Sequence, residues 1–333
     1  MTAALALLGY ALIAAWCVPA LLVPLTRHGA SVRVGLAAWL AAMASAGVAF
    51  ALALQLVLRT VVADWPKLTM ALCRSVAGGA CTPQVYRSAL YSAGVAALAI
   101  VLTLVTAVAL WRYGRRVQRA SRSTRVHAEV AHVVGRELGP IDAGSLHVGL
   151  ADGGRGRPRP LASTVILDDP RPTAYCVAGR PPAIVVTSGA LAVLDPPQLA
   201  AVLAHERAHL AGRHHTLALI TRCLAATFPG VPLFIKGSTE VARLAEMAAD
   251  DAAARANGRT TVVSALLAIV TGAADQPVPA GSLATAAYAV PARVERMLRP
   301  SSPAAAGVVT AALSVTLAAL TAAPLALAAG LFW

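Results

Sequence analysis

Charged residues are scarce in this chain of 333 residues: they make up 13% of the sequence, whereas hydrophobic residues make up 58%. A chain with so little charge and so much apolar surface is too hydrophobic for an ordinary soluble enzyme. Lysine is nearly absent, because it occurs only at Lys67 and Lys236. The net charge of +13 therefore rests almost entirely on arginine.

Sequence patterns of nucleic-acid-binding proteins are also lacking. No zinc-finger, helix-turn-helix or RNP-like pattern accompanies the arginines. The arginines cluster instead beside long apolar segments, where such residues commonly set membrane topology and contact anionic lipids. We therefore expect a lipid bilayer as a partner and no direct binding of nucleic acid.

Four apolar segments are each long enough to cross a bilayer, which takes about 20 residues. No basic residue precedes the first segment, so we interpret it as a retained span and not as a cleaved signal. The sequence predicts an α-helical membrane protein with three transmembrane helices in residues 1–111 and an outer loop at 59–88. A domain at 112–303 and a C-terminal transmembrane helix at 304–333 complete this layout.

The arginines predict the orientation of these helices. They cluster after the third span, before the last span and around the first short loop, and all three clusters fit one side if the N-terminus lies outside. The layout is then a multi-pass protein of the cell membrane with its domain in the cytoplasm. Cys73 and Cys81 lie in the outer loop, where an oxidising environment would allow a disulfide between them.

An H-E-x-x-H motif at 205–209 is the most informative feature of the predicted domain. His205 and His209 project from one side of a helix, so both imidazoles can reach one metal ion. Glu206 lies on the flank of this face, where it can act as a general base. The helix should begin at Asp195, which has the pattern of an N-cap with Gln198 as its capping-box partner. The motif is typical of a zinc hydrolase.

A third metal ligand is expected on a later helix. Glu246 and Asp250 lie four residues apart on one helical face, so Glu246 could complete a His₂Glu set and Asp250 could accept the second ring N–H of a ligand histidine. The alternative is a solvated acidic face in which Asp251 pairs with Arg255. Candidates for a donor to the oxyanion, among which the sequence does not choose, are His214, His215 and Arg255.

The apolar segment 217–234 is ambiguous. It follows His209 and precedes Glu246, so it cannot be a single complete crossing if all three ligands bind one zinc ion. It is a re-entrant or interfacial hairpin, or a helix pair packed on the membrane face. The first two are favoured because the sequence F-P-G-V-P at 228–232 would interrupt a helix. The strand predicted at 183–187 is either an edge strand for an extended peptide or a core strand.

The combination of these motifs resembles a known family. The stretch Y-C-V-A-G from Tyr175, the stretch L-A-H-E-R-A-H-L around the motif and E-M-A-A-D from Glu246 look like the BlaR/MecR-type membrane zinc peptidases, and more distantly the HtpX-type membrane gluzincins. The resemblance covers about Ser121–Gly258. It implies a zincin-like α+β metalloprotease domain that binds one zinc ion, with Glu206 as catalytic base. The ligands it implies are His205, His209 and Glu246, with Asp250 as their carboxylate neighbour.

One departure from the BlaR/MecR pattern bears on function. The sequence ends at Trp333 and has no S-x-x-K acyl-accepting motif, so we do not expect covalent sensing of β-lactams. The leading hypothesis is a signalling protease that cleaves a BlaI/MecI-like repressor or itself. The alternatives are a quality-control protease for membrane proteins and a non-catalytic sensor or scaffold with a structural zinc site. An open fourth coordination position would favour the two proteases.

Overall fold

The computed structural model describes residues 2–76, 83–137, 162–179, 182–274 and 284–330. These parts of the chain form ten helices and a four-stranded sheet. The helices are α1 (Thr2–Thr26), α2 (Val32–Val76), α3 (Pro83–Val134), α4 (Ser188–Val193), α5 (Pro196–Ala211), α6 (His214–Thr227), α7 (Pro232–Asn257), α8 (Arg259–Ala274), α9 (Ala284–Leu298) and α10 (Pro303–Ala328). The strands are β1 (Arg136–Glu137), β2 (Ser163–Leu167), β3 (Ala174–Val177) and β4 (Ala183–Thr187).

Four of the described helices are long and apolar enough to cross a membrane. These candidate spans are Thr2–Thr26, Val32–Pro66, Leu90–Ser123 and Pro303–Ala328. Their number agrees with the four apolar segments found in the sequence. The prediction of an α-helical membrane protein with an additional α+β domain is therefore confirmed.

The connection between the second and third spans is more helical than expected. The sequence predicts an outer loop at 59–88, but α2 continues through Pro66 to Val76 and α3 begins at Pro83. Within 59–76 the one strong helix breaker is Pro66, and a helix can accommodate a single proline. The second candidate span ends at Pro66, inside the predicted loop, and the third begins at Leu90.

The sheet has the strand order β1-β2-β4-β3. Strands β2 and β4 are parallel, whereas β1 and β3 are antiparallel to their neighbours. Strand β4 thus lies inside the sheet, and all five of its residues are buried. The edge-strand interpretation of 183–187 is wrong, because the continuous apolar run of β4 belongs to a strand covered on both faces. Strand β3 is the edge strand that packs against α5.

The core of the α+β domain holds α5 in place. Its buried side chains, among them Leu203, pack with Ile184 of β4, Ala253 of α7 and Val263 of α8. Helix α5 therefore has the sheet on one side and two later helices on the other. This arrangement brings residues that are distant in sequence to the same end of the domain.

The segment 217–234 belongs to a pair of helices. Helix α6 ends at Thr227, the chain turns at Phe228–Val231, and α7 begins at Pro232. Proline is well suited to the first position of a helix because it needs no hydrogen-bond partner for its nitrogen. The helix-breaking sequence F-P-G-V-P forms the turn between the two helices.

The first half of α7 packs directly against the candidate spans. Its buried Leu233, Val241 and Leu244 join one apolar cluster with residues of α1, α2 and α10. At Gly237 a Cβ atom would collide with the Met43 side chain and would lie 3.1 Å from the Trp39 ring. Glycine therefore permits the close approach of α7 to α2, as small residues do between membrane helices.

A polar contact at the other end of this interface fixes α7 to α1. The guanidinium of Arg243 donates to the carbonyl oxygens of Thr26 and Arg27, each at 2.9 Å. It also pairs with Glu240 at 2.6 Å. Arg243 thus satisfies carbonyl groups at the C-terminus of α1, which lack partners within that helix, and lies one turn before Glu246.

Candidate metal centre and active site

Helix α5 begins as the sequence predicts. The Asp195 side chain accepts from the Gln198 N–H at 2.8 Å, and the Gln198 side chain accepts from the Asp195 N–H at 3.0 Å. This capping box and Pro196 at the first helical position define the start of the helix. The H-E-x-x-H motif follows two to three turns later, with Glu206 buried and both histidines partly buried.

Three side chains from α5 and α7 converge on one point. The Nε2 atoms of His205 and His209 lie 3.0 Å apart. The carboxylate oxygens of Glu246 lie 3.5 Å from His205 Nε2 and 3.4 Å from His209 Nε2. The three ligand atoms all lie within 4.8 Å of one another, a spacing that could hold a metal ion. These are the three residues predicted as ligands.

Each histidine has a polar partner on its second ring nitrogen. His205 Nδ1 lies 3.1 Å from Asp250 Oδ1, as predicted, and Asp250 is buried. His209 Nδ1 lies 3.1 Å from His214 Nδ1. Such contacts fix the tautomer and the orientation of the ring, so that the Nε2 atoms face the point of convergence.

A tight turn places His214 behind His209. Arg213 has φ +50°, in the left-handed region that non-glycine residues seldom adopt. At Gly212 a Cβ atom would collide with the His214 ring, so glycine is required there. The sequence offered His214 as a donor to the oxyanion, but it lies on the far side of His209 from the convergence point.

Arg293 of α9 also belongs to the site, although the sequence indicated it only as an arginine beside the last span. It binds both Asp250 oxygens, at 2.8 Å and 2.6 Å, and lies 3.3 Å from Glu246 Oε2. Because Arg293 is 43 residues from Asp250 in sequence, no local spacing could reveal the contact.

Comparison with known proteins agrees with this geometry. Residues 150–304 match the family model described as Peptidase family M48. The chain contains an M48 peptidase domain. This agrees with the likeness of the sequence to membrane zinc peptidases of the HtpX type.

One curated relative with this likeness is a protein named Protease HtpX homolog, from Limosilactobacillus fermentum. It is 36% identical to the chain over 70 residues, which are 20% of this chain and 23% of the relative. The chain therefore matches about a quarter of that relative's length. No solved structure matches the chain.

In this M48 domain Glu206 forms hydrogen bonds with the edge strand β3. Its carboxylate is hydrogen-bonded to the backbone and to the thiol of Cys176, in β3. Burial raises the pKa of Glu206 to about 7, and the hydrogen bonds from Cys176 act in the opposite direction. Burial, together with the same contact, raises the pKa of the Cys176 thiol to about 12. The thiol is therefore a donor, and Cys176 is a site residue that the sequence did not identify.

The two candidate ligand histidines differ in charge. Burial disfavours protonation of both. At His205 the hydrogen bonds to Asp250 and Glu246 outweigh the effect of burial, and they raise the pKa of His205 to about 9. At His209 burial dominates and lowers the pKa to about 4. A metal ion that binds both Nε2 atoms would therefore compete with a proton chiefly at His205.

Two other residues, predicted as candidate donors to the oxyanion, lie apart from the three candidate metal ligands. His215 is exposed, and no described contact joins it to the candidate ligands. Arg255 is exposed and lines a different cleft. The alternative pairing of Asp251 with Arg255 does not occur, because Asp251 pairs with Arg296 at 2.8 Å. Cys81 of the predicted disulfide with Cys73 lies outside the described residues.

Proposed function

We propose that the chain is a membrane-embedded zinc metalloendopeptidase with Glu206 as its catalytic base. The observation that carries this proposal is the convergence of His205, His209 and Glu246 beside a buried glutamate on the same helix. The M48 domain match supports a metallopeptidase. The roles of the individual residues follow from their chemistry.

The donor set suits zinc. Two imidazole nitrogens and one carboxylate oxygen form a ligand set known from catalytic zinc sites, which keep one position open for water or substrate. No fourth histidine, cysteine or carboxylate joins the cluster among the described residues, which favours an enzyme over a scaffold with a closed zinc site. The chemistry that zinc supplies when bound is Lewis-acid activation of water and of the scissile carbonyl.

Glu206 would carry the proton through the reaction. In its ionised form it takes a proton from the attacking water, and in its neutral form it delivers that proton to the leaving amine. A buried carboxyl with a pKa of about 7 is suited to both roles near neutral pH. The backbone and thiol of Cys176 orient this carboxyl toward the candidate ligands.

The edge of β3 supports a peptide as the substrate. Thr187 donates its N–H to the Thr173 carbonyl oxygen, so the alternation of an antiparallel ladder turns the main-chain groups of Ala174 and Cys176 outward. Because the Cys176 N–H already donates to Glu206, a peptide would use the N–H and carbonyl of Ala174 and the carbonyl of Cys176. An extended peptide could pair with these groups. It would then lie across the end of α5 that carries Glu206.

The position of α7 supports a substrate at the membrane. Gly237 of α7 lies against Met43, which is 11 residues into α2, or about 16 Å along the helix. The α6–α7 pair therefore reaches the level of the candidate spans, which agrees with a re-entrant pair. With the arginine clusters on the inner side, the N-terminus lies outside and the active site faces the cytoplasm, close to the bilayer.

Two substrate classes follow. The resemblance to BlaR/MecR-type peptidases favours a signalling role, with cleavage of a BlaI/MecI-like transcriptional repressor or of the chain itself. The relative named Protease HtpX homolog and the helix pair at the membrane favour quality control of membrane proteins. A proteome comparison between wild-type cells and cells with Glu206→Gln would distinguish them. A single stabilised repressor supports signalling, and many accumulated membrane proteins support quality control.

The proposal is tested by metal content and cleavage in purified protein. We expect Glu246→Gln to lose zinc and peptidase activity together, because it removes the charged ligand. Glu295→Gln is the matched control, since Glu295 is exposed on α9. Full zinc content and full activity in Glu246→Gln would contradict the proposed ligand set.

A further inference from the structure

A second cleft lies apart from the candidate metal centre. It is formed by the α1–α2 loop, the end of α7, the start of α8 and the junction of α9 with α10, and has a volume of about 360 Å³. This volume is within the usual range of small-molecule sites, about 300–1,000 Å³. The polar residues that line it are His28, Asp251, Arg255, Arg259, Arg296 and Ser301.

The charge of this cleft is positive. Asp251 is the one carboxylate among the lining residues, and its two oxygens are bound by Arg296 at 2.9 Å and 2.8 Å. Arg255 and Arg259 are both exposed, and neither forms an ion pair with a residue that the structure describes. Two guanidinium groups are therefore available to an anion.

The end of a helix adds to this positive potential. Arg259 is the first residue of α8, so the cleft includes the N-terminal end of that helix. Free N–H groups and the helix dipole favour an anion at such an end. Ser301, just before the N-cap residue Ser302 of α10, adds a hydroxyl.

The position of the cleft indicates where the anion comes from. His28 lies between the end of α1 and the start of α2, and Ala306 lies in the first turn of α10. All three helices are candidate spans. The cleft is therefore at the level where spans leave the hydrocarbon, which is the level of lipid headgroups.

We propose that this cleft binds the phosphate of an anionic phospholipid headgroup, with Arg255 and Arg259 as its main donors. Arginine binds phosphate through paired N–H groups. Arg296, fixed by Asp251 and by a bond to the Gly29 carbonyl at 3.1 Å, forms the inner wall. Ala254, Met297 and Ala306 supply the apolar part of the lining, against which the glycerol carbons can pack. The site does not depend on peptidase activity.

The test is lipid binding by the full-length protein in detergent, followed by native mass spectrometry. Phosphatidylglycerol and phosphatidylcholine are titrated separately, because they differ in net charge at the headgroup. We expect a preference for phosphatidylglycerol that falls by about tenfold or more in the double variant Arg255→Gln/Arg259→Gln. The double variant Arg112→Gln/Arg119→Gln is the matched control, since both residues are exposed in the last turns of the candidate span Leu90–Ser123, away from the cleft.

Two results would overturn the proposal. In the first result, both double variants lose the preference for phosphatidylglycerol equally, or both keep it. Either finding would show that the cleft has no special part in lipid binding. The other is displacement of phosphatidylglycerol by millimolar inorganic phosphate, which would identify a site for free phosphate. Both variants are at exposed positions, and unchanged thermal unfolding in detergent shows that they fold.

Discussion

Arg293 and Asp250 form a bidentate ion pair directly behind the candidate ligand His205. The distances are 2.8 Å from Nε to Oδ2 and 2.6 Å from Nη2 to Oδ1. Asp250 also contacts His205 Nδ1 at 3.1 Å. A continuous polar chain thus runs from α9 through α7 to α5, and it fixes the ring on which a metal ion would rest.

Replacing Arg293 with Ala should weaken zinc binding. The change leaves the buried Asp250 without its countercharge, a loss that typically costs about 3–5 kcal/mol, and zinc affinity should fall about tenfold or more. Chelator competition measures the affinity, and Arg293→Lys should recover part of it. Arg296→Ala is the control, because Arg296 of α9 forms the same kind of ion pair with Asp251 of α7. Equal zinc affinity in Arg293→Ala and wild type would refute the role.

His214 and His215 should differ sharply although they are neighbours. His214→Ala removes the partner of His209 Nδ1, so we expect a 10- to 100-fold loss of zinc affinity, roughly the usual effect of such partners. His215→Ala should leave the affinity unchanged because its side chain is exposed and makes no described contact with the site. The same chelator titration measures both, and matching losses would contradict the geometry.

Cys176→Ala should shift the pH profile of cleavage. Burial raises the pKa of Glu206, and the hydrogen bond from the Cys176 thiol lowers it. Without the thiol the pKa rises, so Glu206 stays protonated to a higher pH and the acidic limb of kcat/KM moves upward. Cys223→Ala is the control, because Cys223 is on α6 and lies outside the candidate ligand set. A downward shift of the limb would show that the thiol does not donate to Glu206.

Gly237→Leu should separate α7 from the candidate spans. Its side chain would meet Met43 and Trp39, and overpacking of this kind typically costs about 1–3 kcal/mol. Gly47→Leu is the control, since a Cβ at Gly47 meets no atom within 4 Å. Thermal unfolding in detergent measures the difference. Equal melting temperatures for the two variants would contradict the close packing of α7 on α2.

The parts of the site that share a helix could be predicted from the sequence. The four-residue spacings put His205 with His209, and Glu246 with Asp250, on common faces. The capping box at Asp195 is equally local. The prediction that Glu246 of α7 joins the two histidines of α5 rested on the need of a zinc site for a third ligand. The structure brings these three residues together.

The remaining parts depend on contacts between distant segments. Arg293 reaches Asp250 from another helix, and Cys176 reaches Glu206 from a strand whose edge position depends on the strand order. His214 is close in sequence to His209, but it contacts that residue only because Arg213 adopts a left-handed conformation. In segment 217–234 the sequence F-P-G-V-P predicts the break between two helices, but the packing of these helices depends on contacts with distant segments.

Zinc content and peptide cleavage, measured on the same preparation of Glu206→Gln, test the proposed role of Glu206 most directly. Because Glu206 is not among the three candidate ligands, we expect one zinc ion per chain, as in wild type, and no cleavage. Glu295→Gln should keep both. Cleavage at the wild-type rate by zinc-loaded Glu206→Gln would contradict the assignment of Glu206 as the catalytic base.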